Sequence, residues 1–213
     1  PGNGLVINGN NVQLDCNGHT ISAATPNTGT GILSSSKTNV TIKNCKILRF
    51  NTGIDFTSTN ASSMINNNLT NDFRGVLVSS SKNDTVIGNF FGDNGNIALY
   101  ILLSATVTAK SNTVINGVGG GTYGIYLAAA NASIIRNNTV SGMGLDALLL
   151  INSHMNLVEY NKLISNFQSG LFILQSSTLN NATNNSILQN GEGIIFYQPS
   201  TKNIIKSNNI SDN

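Results

Sequence analysis

A short block, one small residue followed by an apolar run, recurs nine times along this 213-residue chain. It reads Gly4-Leu-Val-Ile, Gly31-Ile-Leu-Ser, Gly53-Ile-Asp-Phe, Gly75-Val-Leu-Val, Ala98-Leu-Tyr-Ile, Gly124-Ile-Tyr-Leu, Ala147-Leu-Leu-Leu, Gly170-Leu-Phe-Ile and Gly193-Ile-Ile-Phe. A second apolar marker follows each block at a nearly fixed distance: Ile21, Ile47, Leu69, Phe91, Val114, Val140, Leu163, Ile187 and Ile210. The step from that marker to the next block is the variable one, and it is longest at 22–30 and 115–123. A unit this short cannot bury its apolar face alone and must stack on its neighbours.

Leucine-rich repeats and parallel β-helices both have such a period. No segment shows the 3.6-residue periodicity of a helix, and Asn, Gly and Ser are too frequent for one. The expected fold is therefore all-β: a right-handed parallel β-helix of about nine coils with three short strands each, about 40 Å long. Five residues before the second marker stands an apolar, inward strand position: Ile42, Met64, Val86, Ala109, Ile135, Val158, Ala182 and Ile205.

Two residues before the second marker, seven consecutive coils carry the same amide: Asn67, Asn89, Asn112, Asn138, Asn161, Asn185 and Asn208. The chain holds 36 Asn in 213 residues, about one in six, so such a run is improbable by chance. Coils stacked about 4.8 Å apart would turn it into a ladder of side-chain hydrogen bonds, in a bend whose left-handed backbone Asn tolerates. The first two coils hold His19 and Cys45 there. Cys16 and Cys45, the only cysteines, fall in the same bend of adjacent coils. A disulfide between them is expected, with two packed thiols as the alternative.

Asn10-Asn-Val-Gln-Leu-Asp-Cys-Asn-Gly-His-Thr-Ile21 and Asn39-Val-Thr-Ile-Lys-Asn-Cys-Lys-Ile47 resemble the opening coils of right-handed β-helix repeat proteins of the NosD type, grouped with carbohydrate-binding proteins and sugar hydrolases. The resemblance implies the β-helix fold and a secreted setting. It says little of activity, because this scaffold hosts lyases, epimerases, adhesins and surface filaments. Such proteins usually precede the opening coil with a cap, whereas Gly2-Asn-Gly4 starts almost on the first strand and the last coil ends at Asn213. Residues 1–213 are thus read as one solenoid, either excerpted from a longer chain or an assembly subunit with uncapped ends.

Charge excludes some functions. Only 9% of residues are charged and the net charge is +2, with no basic stripe, so nucleic acid is not an expected partner. No apolar run approaches the roughly 18 residues of a membrane span. The two histidines, His19 and His154, and the scattered Met64, Met143 and Met155 give no metal-ligand spacing. No cofactor or metal is expected, including the copper that the NosD name suggests.

Two residues after each small marker the chain presents an outward position: Val6, Leu33, Asp55, Leu77, Tyr100, Tyr126, Leu149, Phe172 and Ile195. Eight of these nine are apolar. The expectation is an assembly surface of Val6, Leu33, Leu77, Tyr100, Tyr126, Leu149, Phe172 and Ile195, in a non-catalytic extracellular or cell-surface protein that packs against itself or further segments of its chain. The alternatives are a polysaccharide-active or glycan-binding β-helix, with Tyr100, Tyr126 and Phe172 stacking on sugars, and an adhesin or fibre module. Asp55, Asp72 and Arg74 are the candidates for catalysis, with Asp72 and Arg74 expected as a solvated ion pair of the variable loop. Asp15 is read as a turn cap. Nine sequons, at Asn39, Asn60, Asn68, Asn83, Asn131, Asn137, Asn181, Asn184 and Asn209, are near the number composition alone predicts, so glycosylation is neither implied nor excluded.

Overall fold

In the computed structural model, which describes residues 2–117 and 119–213, the first coil lays down β1 (Leu5–Ile7), β2 (Gln13–Asp15) and β3 (Thr20–Ser22). Eight more coils repeat the same three-strand circuit. Every first strand pairs in parallel with the first strand of the next coil, and likewise for the second and third, giving three nine-stranded sheets. This is the right-handed parallel β-helix that the repeat predicts.

Register is held by like residues stacked on like. On the first sheet Ile32, Ile54, Val76, Leu99, Ile125, Leu148 and Leu171 lie one above another and point inward. The third sheet stacks Ile47, Leu69, Phe91, Val114, Val140, Leu163 and Ile187. With the second-sheet column from Ile42 to Ala182 they form one continuous buried core. The small marker opens each first strand because the chain there hugs its neighbour. A Cβ on Gly31 would stand 2.5 Å from the Gly53 carbonyl and 2.7 Å from Ile47 Cγ2.

Each coil turns three times, and each bend carries a buried column of polar side chains. In the bend between second and third sheets the amides form the ladder. Asn112 N and Nδ2 both donate to Asn138 Oδ1 at 2.9 Å, and Asn138 Nδ2 donates to the Ala109 carbonyl at 3.0 Å. The same pattern runs from Asn67 to Asn208. One detail of the sequence reading is corrected. The left-handed backbone belongs to the residue before the ladder amide, at Asn66, Ser111, Asn137, Tyr160, Asn184 and Ser207, with φ between 53° and 56°. The ladder amide itself keeps φ below zero, because its N–H must point along the rod to the next coil.

Two further ladders exist that the sequence reading missed. Asn156, Asn180 and Asn203 stack in the bend after the first sheet, continuing a column of Ser62, Asp84 and Ser133. Asn166, Asn190 and Asn213 stack in the bend after the third sheet, continuing a column that includes Asp72 and Asn94. Their signal was a five-residue spacing, Asn156-x4-Asn161-x4-Asn166 and its two successors. The second strand of each coil is three residues, so five residues separate equivalent points of consecutive bends.

Cys16 and Cys45 are disulfide-bonded, with Cα atoms 4.7 Å apart. The bridge clips the first coil to the second and suits an oxidising compartment outside the cytosol. Among the described residues no helix is long and apolar enough to cross a membrane.

Candidate functional site on the outer face of the first sheet

From the second coil on, the first strand is the longest of its coil, six residues in most, so its outer face is the widest surface of the rod. Strand alternation puts every second side chain outside. The outward column pairs Val6 with Leu33, then Asp55, Leu77, Tyr100, Tyr126, Leu149, Phe172 and Ile195. Of these only Val6 is exposed, at 45%; Leu149 is 3% exposed and the rest are half-buried. Stacking at one coil per strand makes these side chains cover one another, so the stripe leaves less apolar surface open than its composition suggests.

At the centre of this face the column turns aromatic. The rings of Tyr100 and Tyr126 are 4.9 Å apart and tilted by 40°, and Tyr123 lies 5.4 Å from Tyr126. Arg74, which opens the strand two coils before Tyr123, holds its guanidinium 5.4 Å from the centre of the Tyr100 ring. Its Nε is buried without a hydrogen-bond partner. Burial raises the pKa of the Tyr126 hydroxyl to about 12, with Tyr100 and Tyr123 adding to the rise, so the Tyr126 phenol stays a neutral hydrogen-bonding group.

Asp55 sits beside this cluster and accepts a 2.6 Å hydrogen bond from the Thr57 hydroxyl. Burial raises its pKa, and the Thr57 bond and the Arg74 charge act against that rise. Its column neighbours are Leu33 and Leu77. The next carboxyl on the same flank, Asp146, is buried; burial raises its pKa while the Ser169 N–H binds it.

The three acid–base candidates therefore part company. Asp55 and Arg74 share the outer face. Asp72 does not: it is 1% exposed, faces the interior of the bend, and makes no ion pair with Arg74. The expected solvated loop pair is corrected for a simple reason: Asp72 occupies the ladder slot of its bend, which points inward in every coil. Among the described residues the ion pairs are Lys43 with Asp15 and Arg136 with Glu159. Asp15 also accepts from the Asn17 N–H at 3.0 Å, as a turn cap does. The sequence reading missed Tyr123, which opens the strand ahead of Tyr126 and so fell outside the column read.

Two family models match. One, described as a right-handed β-helix region, covers residues 1–123; the other, described as periplasmic copper-binding protein (NosD), covers residues 92–213. Among solved structures, the periplasmic alginate epimerase AlgG superposes with a TM-score of 0.74 at 14% identity, over 84% of this chain and 47% of AlgG. The A-module of the mannuronan C-5 epimerase AlgE6 from Azotobacter vinelandii gives 0.63 at 11%, over 88% of this chain and 63% of the module. The DFA-IIIase of Arthrobacter chlorophenolicus A6, in complex with GF2, gives 0.57 at 12%, over 88% and 62%. The chain thus spans about half to two thirds of these proteins, and likeness at this identity shows the fold alone. No curated protein matches the chain in sequence at a significant level.

The donor set does not fit copper. His19 is exposed in the first coil and His154 lies six coils further on, bonded to Thr178. Met64 and Met143 are in the core, and both cysteines are in the disulfide. Among the described residues no three His, Cys, Asp or Glu cluster closely enough to hold a metal ion. Continuous repeat, three parallel sheets and both family matches lead to one assignment: the chain belongs to the right-handed parallel β-helix family of the NosD type.

Proposed function

We propose that this chain binds a polysaccharide along the outer face of its first sheet, in an extracellular or cell-surface setting. The observation that carries the reading is the cluster of Tyr100, Tyr123 and Tyr126 with Arg74 and Asp55 at the middle of that face. Stacked rings supply flat apolar surface for the faces of sugars, and phenol hydroxyls, a guanidinium and a carboxyl supply partners for hydroxyl groups. The coil rise of about 4.8 Å is comparable with one sugar unit, so a chain lying along the rod would meet about one coil per ring. Fold neighbours named as an alginate epimerase and a mannuronan C-5 epimerase support a glycan as the ligand class. Binding is favoured over turnover because Asp55 is flanked by Leu33 and Leu77, with no second carboxyl in reach on that column.

Isothermal titration with alginate, polygalacturonate and neutral glucans tests this. Tyr100→Ala and Tyr126→Ala, each on an otherwise unchanged surface, are expected to weaken binding about tenfold, the loss of roughly 1.4 kcal/mol per stacked ring. Absence of binding across the panel would reject the reading, and new unsaturated or shortened products would convert it to an enzyme.

A second reading, assembly with copies of itself, draws on the apolar end of the same face, where Leu149, Ile151, Phe172, Leu174 and Ile195 are contiguous. Light scattering on Tyr126→Lys and Phe172→Lys separates the two: assembly lost without loss of glycan binding favours the second.

A further inference from the structure

Asp72 breaks the chemical pattern of its ladder. In that bend each amide nitrogen donates to a main-chain carbonyl one coil back: Asn94 Nδ2 to Leu69, Asn166 Nδ2 to Val140, Asn190 Nδ2 to Leu163 and Asn213 Nδ2 to Ile187, at 3.0 to 3.3 Å. Asp72 occupies the equivalent slot. Its Oδ1 does what the ladder oxygen does, accepting from the Phe50 N–H at 2.8 Å, and its own N–H donates to Asn94 Oδ1 at 3.0 Å. Its Oδ2 is buried and has no partner. That atom stands where the other ladder members hold their nitrogen. A Cβ on Gly53 would be 2.8 Å from Asp72 Oδ2, and a Cβ on Gly170 would be 2.9 Å from Asn190 Nδ2. The carbonyl in the matching position is that of Ile47, which pairs in register with Leu69.

An ionised oxygen there would face a carbonyl oxygen with no donor between them, in a place closed to solvent. We infer that Asp72 is carried as a neutral carboxylic acid whose Oδ2–H donates to the Ile47 carbonyl, a proton-dependent clasp between the bends of adjacent coils.

The surroundings offer no charge to offset ionisation. The third sheet presents Ile47 and Leu69, the first sheet Gly53, and the bend Phe50 and Asn94. The charged side chains of the neighbourhood are Arg49 and Asp93, both exposed in the outer column of the same bend, and Arg74 on the outer face; none bonds to Asp72. Burial accordingly pushes its pKa to about 8, the Phe50 bond only partly opposing it. The folded state then keeps a proton that the unfolded chain, with an ordinary value of 3.8, releases. The clasp contributes in full below about pH 4 and its contribution drains away as pH rises towards about 8.

The test compares thermal unfolding of the whole chain and of Asp72→Asn from about pH 5 to about pH 9. The amide supplies the missing donor without titrating. The difference between variant and parent midpoints is expected to widen by roughly 3–5 °C per pH unit up to about pH 8. Parallel curves would overturn the inference. Should the variant fail to fold, carbon-13 NMR of the aspartate carboxyls in the unchanged protein decides. A protonated shift for Asp72 at about pH 6 is expected, and an ionised one there overturns it.

Discussion

Replacing Asn138 by alanine removes four side-chain hydrogen bonds at once, those that its Oδ1 accepts from the Asn112 N–H and Nδ2 and those that its Nδ2 donates to the Ala109 carbonyl and Asn161 Oδ1, and leaves the buried Asn112 N–H without a partner. A single orphaned buried group costs about 1–3 kcal/mol. With some relaxation of the coil, urea unfolding should show a loss of roughly 3 kcal/mol, far more than removal of an exposed Asn such as Asn137 would cause. An equal loss for the two variants would mean that the ladder carries no special weight. The same scale explains the left-handed bend residues. They are tolerated at Tyr160, Met155 and Leu179 as well as at Asn, so the main chain imposes that geometry and the stacked amides, satisfied on both sides, hold it in place.

At the scale of the elements, each strand is too short to persist alone and each sheet exists only through the next coil. The first coil has a neighbour on one side only in the described structure. There the Cys16–Cys45 bridge matters most, because it closes a 29-residue separation between the bends that follow the second strands of the first two coils. Loop-closure reasoning assigns such a link about 3.6 kcal/mol. Its reduction should act locally: amide exchange in β1 to β3 is expected to accelerate strongly while strands of the central coils keep their protection. Uniform acceleration along the chain would show instead that all nine coils unfold as one unit. The first-sheet strands, longest of the three sets, also carry the aromatic cluster, so the proposed binding face lies on the widest of the three sheets.

For the whole molecule, the buried carboxyls set the response to pH. Burial raises the pKa of Asp84 and of Asp146, against hydrogen bonds from Thr59, Ser62 and Ser81 in the first case and from Ser169 in the second. A folded value above the unfolded one contributes stability that is lost as pH rises through the folded value. Even with Asp72→Asn in place, the thermal midpoint should therefore still fall as pH rises above the ordinary carboxylate range, more gently than in the parent. A midpoint that rises over that window would show these carboxyls to be ionised and paired in the fold. Such a protein gains stability in mildly acidic surroundings, the reverse of one held by surface ion pairs, of which only two occur among the described residues.

The β-helix, its coil count, its core columns and the Asn67-to-Asn208 ladder were legible in the amino-acid sequence because stacking places like over like, so one structural position becomes one recurrent residue type. The Cys16–Cys45 link was legible for the same reason. What only the tertiary structure decided were the properties of single side chains whose neighbours lie a whole coil away along the chain. Asp72 reads as a loop acid beside Arg74 until the bend turns it into a dry ladder slot. Tyr123 joins Tyr126 and Tyr100 only once successive coils are superposed. The outward stripe reads as bare apolar surface until its members are seen to cover one another. A periodic pattern specifies which residues share a column, and packing across columns then determines which of them meet water.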